Sequence, residues 1–108
     1  MRSPLDNPIA QQTWLCVHPD GSESIVTAKV GTPYLADRTM WKCPAALDGI
    51  DGQYADIAGE GSMQALGLAL RLIRTRLSHA IEGGATLYFS ADRSAPQTMA
   101  DLGGIFGG

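Results

Sequence analysis

The side chains able to do chemistry are few: two cysteines, two histidines, and one cluster of arginines. Cys16 and His18 are separated by one residue within an apolar run, so an extended backbone places both on one face. Together with Cys43 and His79 they form a thiol–imidazole set of the types that hold zinc. The spacing is not the Cys-x-x-Cys of ordinary zinc sites, and no metal is expected to bind there. The pairs Trp14-Leu15-Cys16 and Trp41-Lys42-Cys43 support another reading. In each, tryptophan and cysteine share one strand face, and a free cysteine behaves as a small hydrophobe. Two buried aromatic–thiol pairs stand ahead of a cross-strand disulfide, and both stand ahead of a metal or ligand site on Cys16, His18, Cys43 and His79.

Gly59-Glu60-Gly61-Ser62 precedes a helical segment, where free N–H groups attract anions. No lysine follows and Glu60 would repel a phosphate, so a turn with Ser62 as the N-cap is the expected use. Arg71, Arg74, Arg76 and His79 gather in the second half of that segment, where cations complement the negative end of a helix dipole. There is no Gly-x-Ser-x-Gly, no His-Glu-x-x-His and no calcium-loop spacing around Asp48 and Asp51. The expectation is a protein that is not an enzyme, with no catalytic residue and no cofactor.

The element that positions most of these groups is one long helix beginning at Ser62 and closed by Gly83-Gly84. At roughly 100° per residue, Leu66, Leu70, Ile73 and Leu77 form its core seam. Gln64, Arg71, Arg74, Thr75 and Ser78 occupy the far side. Two residues misfit. Arg76 lies beside Ala65, Ala69 and Ala80, where its stem can lie flat, and Leu68 stands among the polar residues.

Ahead of the helix, Thr13–Val17 and Ser24–Val30 read as strands of a hairpin closed by Pro19-Asp20-Gly21. Met40 to Leu47 reads as a third strand, at an edge or bulged at Pro44, which cannot donate to a ladder. Gln53 to Ala58 is a weaker fourth strand, and Ala85 to Ser90 a fifth after the helix. Residues 1–12 read as an irregular arm and 98–108 as a glycine-rich tail in which Leu102, Ile105 and Phe106 can tuck against the sheet. The expected fold is α+β: an antiparallel sheet of four to five strands with the helix packed on one face.

The whole chain, residues 1–108, has the length of a single domain. Its composition, 44% hydrophobic and 18% charged, is that of an ordinary globule able to bury one modest core. A net charge of −3 argues against nucleic acid as a partner. No apolar run reaches the ~18 residues of a membrane span. With no signal-peptide core at the start, the expected compartment is the cytoplasm, with both cysteines reduced.

One segment carries a family resemblance. Gly59, then Ser62-Met63-Gln64-Ala65-Leu66 and Leu68-Ala69-Leu70, is similar to the signature of the DUF6968-like domain, a family of mainly bacterial proteins of unassigned function. Where the family has an acidic residue before the serine, this chain has Gly61. The hairpin, the Trp41–Pro44 strand and the Gly/Phe-rich tail agree more loosely. The resemblance implies an α+β fold and no activity.

The expected function is a small protein-binding module of bacterial or phage origin, acting as an inhibitor or regulatory partner of another protein. The contact surface is a sheet edge or the face formed by Leu68, Arg71, Arg74 and Thr75. A structural homodimer is the alternative role.

Overall fold

The hairpin organises the sheet. In a computed structural model, which describes residues 4–89, 96–97 and 99–106, β1 (Ala10–Val17) and β2 (Glu23–Val30) pair antiparallel along their full length. The expectations placed on residues 1–3, 90–95, 98 and 107–108 lie outside the described residues. The turn closes as its sequence requires: His18 N–H donates to the Ser22 carbonyl and Gly21 N–H to the His18 carbonyl. The Asp20 carboxylate accepts from both the backbone and the hydroxyl of Ser22. The arm is shorter than expected. Leu5 is buried in a 3₁₀ turn, Pro4–Asp6, and Ile9 N–H reaches the Val30 carbonyl, so pairing begins at Ala10.

Nine further elements follow among the described residues, and the strands divide between two sheets. The short strands are β3 (Tyr34–Leu35), β4 (Trp41–Cys43), β5 (Ala45–Asp48), β6 (Gly52–Gln53) and β7 (Ile57–Gly59). The long helix α1 (Ser62–Glu82) follows, then β8 (Thr86–Tyr88), β9 (Pro96–Gln97) and a second helix α2 (Met99–Phe106). The larger sheet has the order β6-β5-β2-β1-β8-β9, the smaller one β3-β4-β7, and every pairing is antiparallel. The fold class is therefore α+β with a helix packed on sheet, as expected.

The continuous third strand is not observed. It breaks at Pro44, and its halves, β4 and β5, belong to different sheets. Proline has no N–H for a ladder, so neither sheet extends through it; its carbonyl instead accepts from Gly31 N–H. The fourth strand divides the same way, β6 staying with the larger sheet and β7 returning to the smaller one.

Helix α1 contacts both sheets, but its inward stripe is Ala65, Ala69, Ile73 and Leu77, with Leu66 and Leu70 half-buried beside it. The core seam is thus rotated from the expected one. The reason is close approach: a Cβ on Gly59 of β7 would lie 2.6 Å from the Ala65 nitrogen, so only small residues fit where the backbones meet. The N-terminus also differs. The N-cap is Gly61 rather than Ser62, and no side chain caps it. Gln64 fills the gap by accepting the Glu60 N–H at 2.6 Å, in the manner of the reach-back half of a capping box. At the other end, Ala85 N–H bonds to Ala80 O and Gly84 N–H to Ile81 O, with Gly84 at φ 103°. That is a Schellman closure, which needs glycine at the left-handed position.

The core runs through the hairpin's inner face, with Trp14, Cys16, Val26, Ala28, Val30 and Leu87 covered by α1 and α2. The glycine-rich tail is helical because Leu102 is fully buried and Phe106, one turn on, stacks on Trp14. Ile105 stays partly exposed. Trp14 itself is fully buried between Phe106 and Phe89, and its indole N–H has no hydrogen-bond partner among the described residues. Leaving such a donor dry costs ~1–3 kcal/mol.

Candidate functional site

Opposite the buried stripe, α1 carries Leu68, Arg71 and Thr75 exposed and Arg74 half-buried. These four residues share the outward face because their spacings of three, three and one keep them on the side away from Ala65, Ala69, Ile73 and Leu77. Leu68 is 38% exposed. Neither Arg71 nor Arg74 makes an ion pair or side-chain hydrogen bond with a described residue. The face is a leucine followed, one and two turns on, by guanidinium groups uncommitted among the described residues.

Arg76 behaves differently. It sits on the flank of the helix, as the wheel indicates, yet it does not merely lie flat on alanines. Its Nε and Nη2 grip the two oxygens of Asp51 at 2.8 and 3.2 Å, a bidentate pair that anchors the β5–β6 turn to the helix. The Tyr54 hydroxyl donates to the same carboxylate at 2.6 Å. The Arg76 hydrogen bonds, helped by that from Tyr54, hold the Asp51 carboxyl below its usual range. Burial first, then Asp51, pushes the Tyr54 phenol far above its usual range. Nη1 of Arg76 also lies 3.1 Å from His79 Nδ1; a guanidinium only donates, so the imidazole must accept there. His79 thus belongs to this clamp.

At the hairpin's closed end, Cys16, His18 and Ser24 share the inner face. Cys16 pairs with Ser24 across the strands, and His18 Nε2 lies 2.8 Å from the Ser24 hydroxyl. Burial raises the Cys16 thiol above its usual range, partly offset by a hydrogen bond with Ser24, so the protonated form is favoured and the thiol is a weak nucleophile. Beside this network is a cleft of about 370 Å³, walled by Cys16, His18, Pro19, Ile50, Ala80 and Ala85.

Cys43 is elsewhere. It lies buried in β4 of the smaller sheet, its Sγ 3.5 Å from the carbonyls of Gly31 and Pro44. Burial raises its thiol too. The four thiol and imidazole groups therefore occupy three places, and only Cys16 and His18 are neighbours. Both cysteines are free. Among the described residues, no three His, Cys, Asp or Glu side chains converge as a metal cage would require. The tryptophan–cysteine pairs differ in depth: Trp14 and Cys16 are fully buried, whereas Trp41 is half-buried over a buried Cys43.

Ser24, Asp51 and Tyr54 carry the polar structure around these groups; sequence reasoning weighed Asp51 only as a calcium ligand and passed over the other two. Ser24 was within reach of a hairpin register, which sets it across from Cys16. Nothing local linked Asp51 to an arginine 25 positions later.

Helix α1 and every other described helix is too short or too polar to cross a membrane. No match is found among curated proteins or among solved structures. The model of the DUF6968 family, a domain of unknown function, matches residues 11–97. That span takes in the hairpin, both sheets' central strands, the glycine that seats α1 and the whole helix, and the chain belongs to the DUF6968 family.

Proposed function

We propose that this chain is a small, non-enzymatic protein-binding module of bacterial or phage origin, working in the cytoplasm as an inhibitor or regulatory partner. The observation that supports this reading is the outward face of α1, where exposed Leu68 stands beside Arg71 and Arg74, neither paired with a described acid. Arg76, five residues from Arg71, already has its carboxylate. A surface of this kind suits a partner with acidic side chains around an apolar recess: the leucine supplies buried area and the arginines supply bidentate contacts. Leu68→Asp and Arg71→Glu/Arg74→Glu should each abolish capture of partners from the native host while leaving the circular dichroism spectrum unchanged. Identical capture by the wild type and both variants would reject the reading.

A structural homodimer is favoured by a different observation. Strand β3 lies at the edge of the smaller sheet, and both its side chains, Tyr34 and Leu35, are exposed. Pairing of two such edges would cover them. Sedimentation equilibrium separates the readings: a monomer across the accessible concentrations removes the homodimer, and a dimer dissociated by Leu35→Lys supports it.

A further inference from the structure

Between α1, α2 and the open end of the hairpin is an open-sided cavity of about 290 Å³. Its volume matches the lower end of the ~300–1,000 Å³ typical of small-ligand pockets. The floor is Ala10 and Ala28, small residues on paired strands, and the walls are Leu70, Ile73, Ile105 and Phe106. Gln11, Gln12 and Lys29 are the polar lining residues; of these Gln12 lies on the strand face of Ala10, opposite Ala28, and its amide makes no hydrogen bond with a described residue. Two residues along the same strand face is Trp14, fully buried, with its indole N–H unpartnered among the described residues. Phe106 joins the two features, since its ring both lies against Trp14, with centroids 6.5 Å apart, and forms part of the cavity wall.

We propose that this cavity is a binding site for an uncharged, largely apolar small molecule carrying one carbonyl-type acceptor. The apolar body fills the space over Ala10 and Ala28. Its oxygen accepts from the Trp14 indole N–H once Phe106 turns aside, with the Gln12 amide as the second donor. The chemistry follows from the lining. Indole is a donor only, so the complement it lacks is an acceptor. The walls are mainly apolar, and the charged lining residue, Lys29, already pairs with Asp48 at 3.1 Å, so no ionic ligand is called for. The short helix α2, fastened by Leu102 and Phe106, is the part of the cavity roof that must adjust.

The test is titration of the ¹⁵N-labelled protein with butyrophenone, and with butylbenzene as the isosteric probe lacking the oxygen. Trp41→Phe identifies the Trp14 indole signal. Butyrophenone should shift that signal downfield saturably and bind up to about tenfold more tightly than butylbenzene, the worth of one net hydrogen bond. Gln12→Leu should reduce that preference. Ala28→Leu, which fills the floor, should abolish binding. Ala10→Leu narrows the same floor from the exposed end of β1 and should weaken binding in a protein that keeps a dispersed spectrum. The proposal is overturned if the folded protein shows no saturable indole shift at millimolar butyrophenone. It is equally overturned if the two probes bind alike, or if Ala10→Leu binds as the wild type does.

Discussion

Gly59→Ala isolates the contact on which the helix is seated. The added Cβ would lie 2.6 Å from Ala65 N, 2.9 Å from Ala65 Cα and 3.1 Å from the Gln64 carbonyl carbon. All three are backbone atoms of the first helical turn, so no rotamer change relieves the clash. Either β7 or the start of α1 must move away, loosening Ala65 and Ala69, which are fully buried. Overpacking of this kind costs ~1–3 kcal/mol, and the rigidity of both partners places this case at the upper end, about 2–3 kcal/mol. Gly67→Ala is the matched control. It lies in the same helix on the exposed side, and a Cβ there meets nothing within 4 Å. It should gain the ~0.8–1.0 kcal/mol by which alanine exceeds glycine in a helix interior. Urea unfolding followed by far-ultraviolet circular dichroism measures both, with m-values checked for constancy. In melting temperature the two variants should shift in opposite directions, by about 4 °C or more per kcal/mol. A Gly59→Ala protein within about 0.5 kcal/mol of the wild type would refute the claim that backbone approach, rather than side-chain volume, sets the position of the helix.

Three other outcomes are expected. Asp51→Asn should cost about 0.5–1 kcal/mol at neutral pH, since the pair with Arg76 is bidentate but partly solvated. The folded carboxyl titrates below its unfolded value, so this contribution is present above about pH 4 and fades as pH falls further; stability curves of the wild type and Asp51→Asn should converge in that acid range. His18→Ala and Ser24→Ala should show a coupling of about 0.5–1.5 kcal/mol in a double-mutant cycle of unfolding free energies, whereas either paired with Cys43→Ala should be additive. Leu77→Ala should destabilise by about 2–5 kcal/mol, read from the urea midpoint, because Leu77 is fully buried at the end of the helix's inward stripe.

What the sequence determined by itself was local. The Pro19-Asp20-Gly21 turn, the alternation in β2 and the Gly83-Gly84 pair act through neighbouring backbone, so hairpin, return strand and helix end were all legible before any contact was known. The outward position of Leu68, Arg71, Arg74 and Thr75 was legible for the same reason, since 3.6-residue periodicity separates the faces of a helix whatever it packs on. Tertiary structure decided what depends on distance in space. Pro44 announced a broken ladder, but only the second sheet shows that the chain changes sheets there. The wheel identified a seam, but the approach of Gly59 to Ala65 turned it toward the alanines, because two backbones can meet only where side chains are small. Arg76 read as a misfit until Asp51 arrived from a turn 25 residues earlier. Cys16, His18, Cys43 and His79 looked like one set in composition, and the fold places them in three separate surroundings. The cavity beside Gln12, and the buried indole of Trp14 next to it, exist only because α2 closes over the hairpin. The sequence offered Leu102 and Phe106 as residues able to tuck against the sheet. A glycine-rich tail gives no local sign that it does so as a helix, because docking on distant strands is what holds that helix.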